Sequence, residues 1–267
     1  MIKNITVGQY IPGDSFIHNL DPRIKIIFTA FFVILLFMVN KLSGYIFIMA
    51  FLVLSIYISR IPLKFVFRGL KPIVFIIFIT ILANALFTPG EVIWSYGIIS
   101  ITKEGLWSAL LMGLRLIFLI IGTSLLTFTT SPIMLTDGIE YLLKPFRRIG
   151  VPAHEIAMMM TIALRFIPTL FEETEKIMKA QMARGADFES GNFIKRIKNL
   201  IPILIPLFIN AFRRADELAL AMESRCYRGG ENRTRMKELK FTAKDISALL
   251  IMFAFAVVII LNRFWKW

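Results

Sequence analysis

The chain repeats one design in two stretches, LRFIPTLFEETEKIMKAQMARG (residues 164–185) and IPLFINAFRRADELALAMESRC (residues 205–226). The first copy ends in Ala183-Arg184-Gly185 and the second in Ser224-Arg225-Cys226, so the two arginines are 41 residues apart (225 − 184). Each copy is an apolar, proline-marked run followed by a charged amphipathic helix. The repetition predicts two matching helix ends that fit two matching sites on a partner.

The composition is that of an integral membrane protein. Of the 267 residues 57% are hydrophobic, and the mean hydropathy is +0.71, whereas soluble proteins average about 45–50% apolar residues. Residues 1–25 are polar and lack the pattern of a cleavable signal peptide. The single cysteine, Cys226, excludes an internal disulfide, and the isolated His18 and His154 do not predict a metal site.

The net charge of +13 is unevenly distributed. Residues 130–245 hold 19 Lys or Arg and 14 Asp or Glu, so most of the acidic residues lie there. A basic membrane protein usually reflects the positive-inside rule and contact with anionic lipid headgroups. Because the basic residues flank apolar runs of membrane length, we expect contact with membrane lipid and no binding of nucleic acid.

Apolar runs predict five transmembrane helices. The short loop 59–71 carries four basic residues and no acidic one, which places this loop and the amino terminus in the cytoplasm of a multi-pass cell-membrane protein. The first two runs are shorter than the ~20 residues that a span needs, so flanking residues must be recruited or the bilayer must thin. The runs are Ile26–Val39, Tyr45–Ile58, Pro72–Phe87, Leu106–Phe128 and Ile246–Leu261.

We therefore predict an all-α integral membrane protein with about five transmembrane helices and further amphipathic coupling helices at the cytoplasmic face. The predicted domains are a leader with four spans (1–129), a cytoplasmic coupling-helix domain with both arginines (130–245) and a last transmembrane helix (246–267). The apolar run Val151–Leu170 includes His154, Glu155 and Arg165, so we expect it to lie at the interface or dip into it.

Two polar features near the spans have open interpretations. Ser15 or Asp21 could cap a helix and Pro22 suits a first helical turn, which favours a helix start at the membrane face over a catalytic role for His18 or Asp14. Arg115 lies within the fourth predicted span, where an arginine is costly. It either lies near the outer end and extends to the interface, or it makes a polar contact with a partner.

The sequence contains no catalytic motif, and we predict no catalytic, cofactor-binding or metal-binding residue in this chain. There is no Gly-x4-Gly-Lys-Ser/Thr run, so the chain should not hydrolyse ATP through a P-loop. The first four predicted spans contain no acidic residue. Carriers coupled to protons or sodium usually need ionisable groups at mid-membrane, so this class of transporter is disfavoured.

The repeated helix ends have a functional and a structural interpretation. Small neighbours let a helix end approach another surface closely, and arginine offers five donors in a fixed fork that suits carboxylates and carbonyls. Alternatively, a basic residue followed by glycine is an ordinary helix C-terminus, favoured by the helix dipole. The constant 41-residue offset favours the functional interpretation.

The chain resembles the transmembrane (T) component of energy-coupling factor (ECF) transporters, which are similar to ABC transporters. The resemblance rests on the paired small-Arg-small signatures, on Ser15–Lys25, on Leu164–Pro168 and on Ala221–Glu223, in that order and spacing. In the second signature Ser224 and Cys226 replace Ala and Gly. Since cysteine adopts positive-φ conformations less readily than glycine, the sequence leaves the local geometry of this signature open.

The resemblance implies a non-catalytic subunit of an ATP-driven importer. Two ABC-type ATPases would bind ATP and Mg²⁺ and would each receive one signature: Ala183, Arg184 and Gly185, or Ser224, Arg225 and Cys226. Their motion would pass through the coupling helices to a small membrane protein that binds the substrate, the S component. Substrates of this class are vitamins or transition-metal ions such as cobalt or nickel.

Two other functions remain possible from the residues alone. A self-contained secondary transporter or channel-like carrier would move a solute through these spans without partners. A membrane enzyme would use His18, His154 or Glu155.

Overall fold

The computed structural model describes residues 10–96, 99–188, 192–230 and 239–264. Within these ranges the chain is helical apart from one small hairpin. The α-helices are α1 (Pro22–Met38), α2 (Leu42–Ser59), α3 (Leu63–Leu70), α4 (Val74–Phe87), α5 (Lys103–Thr129), α6 (Pro132–Leu143), α7 (Ala153–Ala183), α8 (Phe193–Glu223) and α9 (Ala243–Phe264). Short 3₁₀ helices at Lys71–Ile73 and Lys144–Ile149 follow α3 and α6.

Five helical stretches in the described residues are long and apolar enough to cross a membrane, which confirms the predicted class. They are Leu42–Ser59, Leu63–Phe87, Lys103–Thr129, Ala153–Ala183 and Ala243–Asn262. Large side chains on them face outward, as lipid-facing residues do: Phe75 is 71% exposed and Phe87 is 83% exposed.

The set of spans differs from the predicted one at two places. Helix α1 has 17 residues, a little short of the ~20 that a span needs. Helix α7 is long and apolar enough to cross a membrane because the apolar run Val151–Leu170, which we expected at the interface, and the charged segment after it form one helix of 31 residues. Its most apolar window has a mean hydropathy of 1.2, the lowest of the five. Pro168 lies inside this helix and does not end it.

A two-stranded antiparallel hairpin is the exception to the all-helical prediction. Strand β1 (Val92–Tyr96) pairs with β2 (Ile99–Thr102) between α4 and α5. The β-branched and aromatic residues of VIWSY and ISIT favour strands.

The described residues of Gly8–Gly138 and Lys237–Trp267 form one compact unit, and those of Ile139–Met236 form the other. In the first unit α1, α2, α5 and α9 enclose the main hydrophobic core. The buried side chains of this core are Phe32, Leu35, Leu36, Val39, Tyr45, Ile48, Leu52, Phe118, Ala256 and Ile259. The predicted domains 1–129, 130–245 and 246–267 follow sidedness in the membrane and not contacts, so that division stays a prediction.

Arg115 of α5 forms hydrogen bonds at the turn between α1 and α2. Its guanidinium donates to the carbonyl oxygen of Val39 at 3.0 Å and to the Tyr45 hydroxyl at 3.1 Å. It also lies 5.4 Å from the centroid of the Phe37 ring. The positive charge therefore faces carbonyl and hydroxyl oxygens and an aromatic ring of its own chain, which lowers the cost of an arginine at this depth.

Candidate functional site

The first signature lies where α7 ends. The backbone N–H of Gly185 donates to the Met182 carbonyl at 2.9 Å, and that of Ala186 donates to the Gln181 carbonyl at 3.0 Å. Gly185 adopts φ +87°, in the left-handed region. The N–H of Ala186 thus bonds to the carbonyl five residues earlier, and the residue before Ala186 is left-handed. This is the Schellman motif, which satisfies the last carbonyls of a helix.

The second signature, where α8 ends, repeats this geometry bond for bond. The N–H of Cys226 donates to the Glu223 carbonyl at 2.9 Å, and that of Tyr227 donates to the Met222 carbonyl at 3.0 Å. Cys226 adopts φ +57°, as glycine does in the first copy. Every donor and acceptor is 41 residues beyond its counterpart. The replacement of glycine by cysteine therefore leaves the ending of the helix intact.

All six signature residues are exposed: Ala183, Arg184, Gly185, Ser224, Arg225 and Cys226. A side chain added at Gly185 would meet no atom within 4 Å. The guanidinium groups of Arg184 and Arg225 make no hydrogen bond or ion pair with the part of the chain that the structure describes. The two endings thus present two donor forks whose hydrogen-bonding capacity is available to a partner.

A third helix ending with the same backbone hydrogen bond lies outside the two signatures. Gly150, at φ +90°, follows the 3₁₀ helix Lys144–Ile149, and Val151 N–H donates to the Phe146 carbonyl at 3.3 Å. The residue before this glycine is Ile149, which is 79% exposed. The ending itself is therefore not specific to the signatures. What the two signatures share is an exposed arginine immediately before the left-handed residue.

Helices α7 and α8 contact each other through Glu173. Its Oε1 accepts a hydrogen bond from the Asn210 side-chain amide at 2.7 Å, and its Oε2 lies 3.4 Å from Nη2 of Arg214. The sequence analysis did not single out these residues. The signal was available, since Glu173 and Arg214 are also 41 residues apart (214 − 173).

The leader residues of the sequence analysis form a buried polar cluster that positions helices. The side chain of Asp21 accepts from Arg23 N–H at 2.8 Å and so caps α1, which confirms the helix start. Asp245 of α9 accepts from Asp21 N–H at 2.8 Å and from the N–H and hydroxyl of Thr242 at 2.8 and 2.7 Å. Lys25 Nζ donates to the carbonyls of His18 and Thr129 at 2.9 and 3.0 Å. The cluster thus joins the leader to α1, α5 and α9.

His18 is occupied by this structural role. Its Nε2–H donates to the Ile11 carbonyl at 3.0 Å, and its Nδ1 then accepts from the Ser15 hydroxyl at 2.6 Å. Burial lowers the pKa of His18, and nearby Lys25 lowers it further, against the opposing effects of the Ile11 carbonyl and Asp14. The ring is therefore held neutral between two fixed partners.

The other residues considered for an enzyme, His154 and Glu155, lie in the compact unit Ile139–Met236. His154 Nδ1 lies 3.1 Å from Glu140 Oε1, and Glu155 is exposed beside it. His18 belongs to the other compact unit. In the described ranges no group of three or more His, Cys, Asp or Glu side chains is arranged to hold a metal ion.

Residues 13–236 match the family model described as cobalt transport protein (CbiQ). The chain is 61% identical over 263 residues to the energy-coupling factor transporter transmembrane protein EcfT of Thermosediminibacter oceani, covering 98% of this chain and 99% of that protein. It is 59% identical over 267 residues to the EcfT of Clostridium kluyveri, with 99% of both chains covered. It is 45% identical to the EcfT of Bacillus subtilis over 264 residues, covering 98% of this chain and all of that protein.

Proposed function

Because this chain belongs to the cobalt transport protein family and is a transmembrane component of energy-coupling factor transporters, we propose that its two signatures dock two ABC-type ATPases. As a member of this family the chain is a non-catalytic, multi-pass membrane subunit that couples ATP-driven motion to transport. Membership in the family also sets aside the self-contained carrier and the membrane enzyme.

One observation carries the proposal: two helices of 31 residues end in the same hydrogen-bonding pattern, each with an exposed arginine before a left-handed residue. A repeated ending fits a repeated partner, so each signature receives one ATPase. The guanidinium fork can bind a carboxylate or helix C-terminal carbonyls of the ATPase, and the small neighbours let the two backbones approach. ATP and Mg²⁺ are bound by the ATPases and not by this chain.

Membership in the same family also supports a proposal for the remaining parts of the assembly. A small substrate-binding S component lies against this subunit, and the substrate is a vitamin or a transition-metal ion such as cobalt or nickel. The coupling helices α7 and α8 pass the movement of the ATPases to that S component.

The amino terminus and both signatures lie on the cytoplasmic side. The basic residues Arg60, Lys64, Arg68 and Lys71, near the segment between α2 and α4, support this orientation through the positive-inside rule. Labelling of single cysteines in intact cells tests it: a cysteine at Lys64 should react only with a membrane-permeant maleimide. Reaction with an impermeant reagent at this position would reverse the orientation.

Cys226 provides a direct test of docking because it is the chain's single cysteine and is exposed. The purified chain should react with a maleimide at Cys226, and addition of the ATPases should slow this reaction. A chain carrying Ala183→Cys and Cys226→Ser tests the first signature in the same way. Equal labelling rates with and without bound ATPases would place the docking sites elsewhere.

A further inference from the structure

The contact between Glu173 and Arg214 occupies equivalent positions of the two repeats. Glu173 is 11 residues before Arg184, and Arg214 is 11 residues before Arg225 (184 − 173 and 225 − 214). At about 1.5 Å per residue, each signature therefore lies about 16 Å along its helix from this contact. The contact between Glu173 and Arg214 is thus equally far from the two signatures. We call the segment of α7 or α8 between this contact and its signature a signature arm.

The chemistry at this point holds the helices together. Asn210 and Arg214 are one turn apart on α8, so both side chains reach the same carboxylate of α7. The Glu173 side chain is 18% exposed, and that of Arg214 is 40% exposed. A carboxylate this far removed from water depends on its partners, because loss of one partner leaves a charge without compensation. The adjacent repeat pair, Glu172 and Arg213, is exposed instead.

We propose that Glu173 and Arg214, with Asn210, form the pivot through which a displacement of one signature arm moves the other. This inference rests on the proposed docking of the ATPases, because that docking supplies the force. Opposite charges at equivalent positions let two similar helices pair at one register only, since a shift along either helix removes both contacts. Glu173 and Arg214 are positioning residues, and they do not contact the ATPases.

The experiment uses the complete complex in proteoliposomes. The test variants are Glu173→Arg, Arg214→Glu and the double exchange, and the matched controls are Glu172→Arg, Arg213→Glu and their double exchange. Three quantities are measured for each: ATPases retained, ATP hydrolysed and substrate taken up. Genetically encoded spin labels at Lys179 and Leu220, both exposed and again 41 residues apart (220 − 179), report the distance between the arms and leave Cys226 in place.

The single test variants should retain both ATPases and hydrolyse ATP, but take up substrate about tenfold more slowly, a coupling of ordinary size for residues in contact. Their distance distribution between the labels should broaden. The double exchange should return uptake to within about twofold of the unmodified complex and narrow the distribution, also by the reasoning of a coupled pair. The controls should behave like the unmodified complex in all four measurements.

Unchanged uptake and an unchanged distance distribution in the single variants would overturn the pivot, and so would a double exchange that folds but transports no better than the single variants. If a single variant does not fold, the double exchange alone decides. Failure of the unmodified chain to retain ATPases would instead remove the proposed docking, so the two failures are distinguishable.

Discussion

Gly185 and Cys226 occupy the same place in two helix endings and share the left-handed backbone conformation, with φ of +87° and +57°. Each lies directly after an arginine that is exposed. The backbone bonds around them correspond pair by pair. The sequence repeat is therefore also a repeat of backbone geometry. Each arginine has the same position relative to its helix ending.

Substitution of Gly185 should destabilise the C-terminal turn of α7. Gly185→Ala adds a Cβ that meets no atom within 4 Å, so the cost is conformational, about 1 kcal/mol. The reverse change, Cys226→Gly, relieves the left-handed cysteine and should be neutral or stabilising by less than about 1 kcal/mol, because glycine loses more entropy on folding. Hydrogen exchange of the amides of residues 182–186 and 223–227 measures both effects, and faster exchange in Cys226→Gly would contradict the assignment.

Loss of the Asp245 carboxylate should destabilise the compact unit formed by Gly8–Gly138 and Lys237–Trp267. Asp245→Asn removes an anion that is 1% exposed and accepts hydrogen bonds from Asp21 and Thr242, at a cost of about 3 kcal/mol. The expected result is a lower temperature of unfolding in detergent. Asp216→Asn, at an exposed position of α8, is the control that should leave this temperature unchanged.

The packing of the leader should weaken in acid through His18. Burial lowers the pKa of this histidine below its ordinary value of 6.5, so the folded state favours the neutral ring. The stabilisation is present above pH 6.5 and is lost as the pH falls through the lowered folded pKa, because the unfolded chain takes up the proton more readily. Protease resistance of the leader should fall between pH 7.5 and 5. In His18→Gln this pH dependence should be reduced, and an undiminished dependence would assign it to another group.

Arg115→Met should loosen the turn between α1 and α2. The change removes the bonds to the Val39 carbonyl and the Tyr45 hydroxyl, while keeping most of the side-chain volume. We expect a loss of about 1–3 kcal/mol, because the Tyr45 hydroxyl loses its donor and the Val39 carbonyl keeps only the 3.4 Å bond from that hydroxyl. Thermal unfolding of the purified chain measures the loss. Arg115→Lys, which keeps the charge and an ammonium donor, should lose less; an equal loss in both variants would show that the charge does not contribute to this stabilisation.

The amino-acid pattern was sufficient for the helical class and for most membrane helices, because apolar runs of membrane length have few alternative structures. It was misleading at proline. Pro168, Pro202 and Pro206 lie inside α7 and α8, although a proline removes one backbone bond and commonly ends a helix. In α7, which is long and apolar enough to cross a membrane, little water competes for the backbone, so the neighbouring helical bonds are retained and the helix continues.

The polar contacts that position the site could be predicted only in part. The 41-residue offset located both signatures and contained the pairing of Glu173 with Arg214. No local pattern pairs Asp21 with Asp245, which are far apart in the chain and meet only when α1 and α9 pack. A single sequence shows which charges are costly to bury, but not which partners compensate them.

The most direct test of the docking proposal is co-purification from membranes. The tagged chain is expressed with the host's ABC-type ATPases and compared with the variant Arg184→Glu plus Arg225→Glu, with Arg213→Glu as a control of charge on α8. We predict that the unmodified chain and the control retain ATPases, whereas the double variant folds, inserts into the membrane and loses them. Retention of the ATPases by a folded double variant would contradict the docking role of the two arginines.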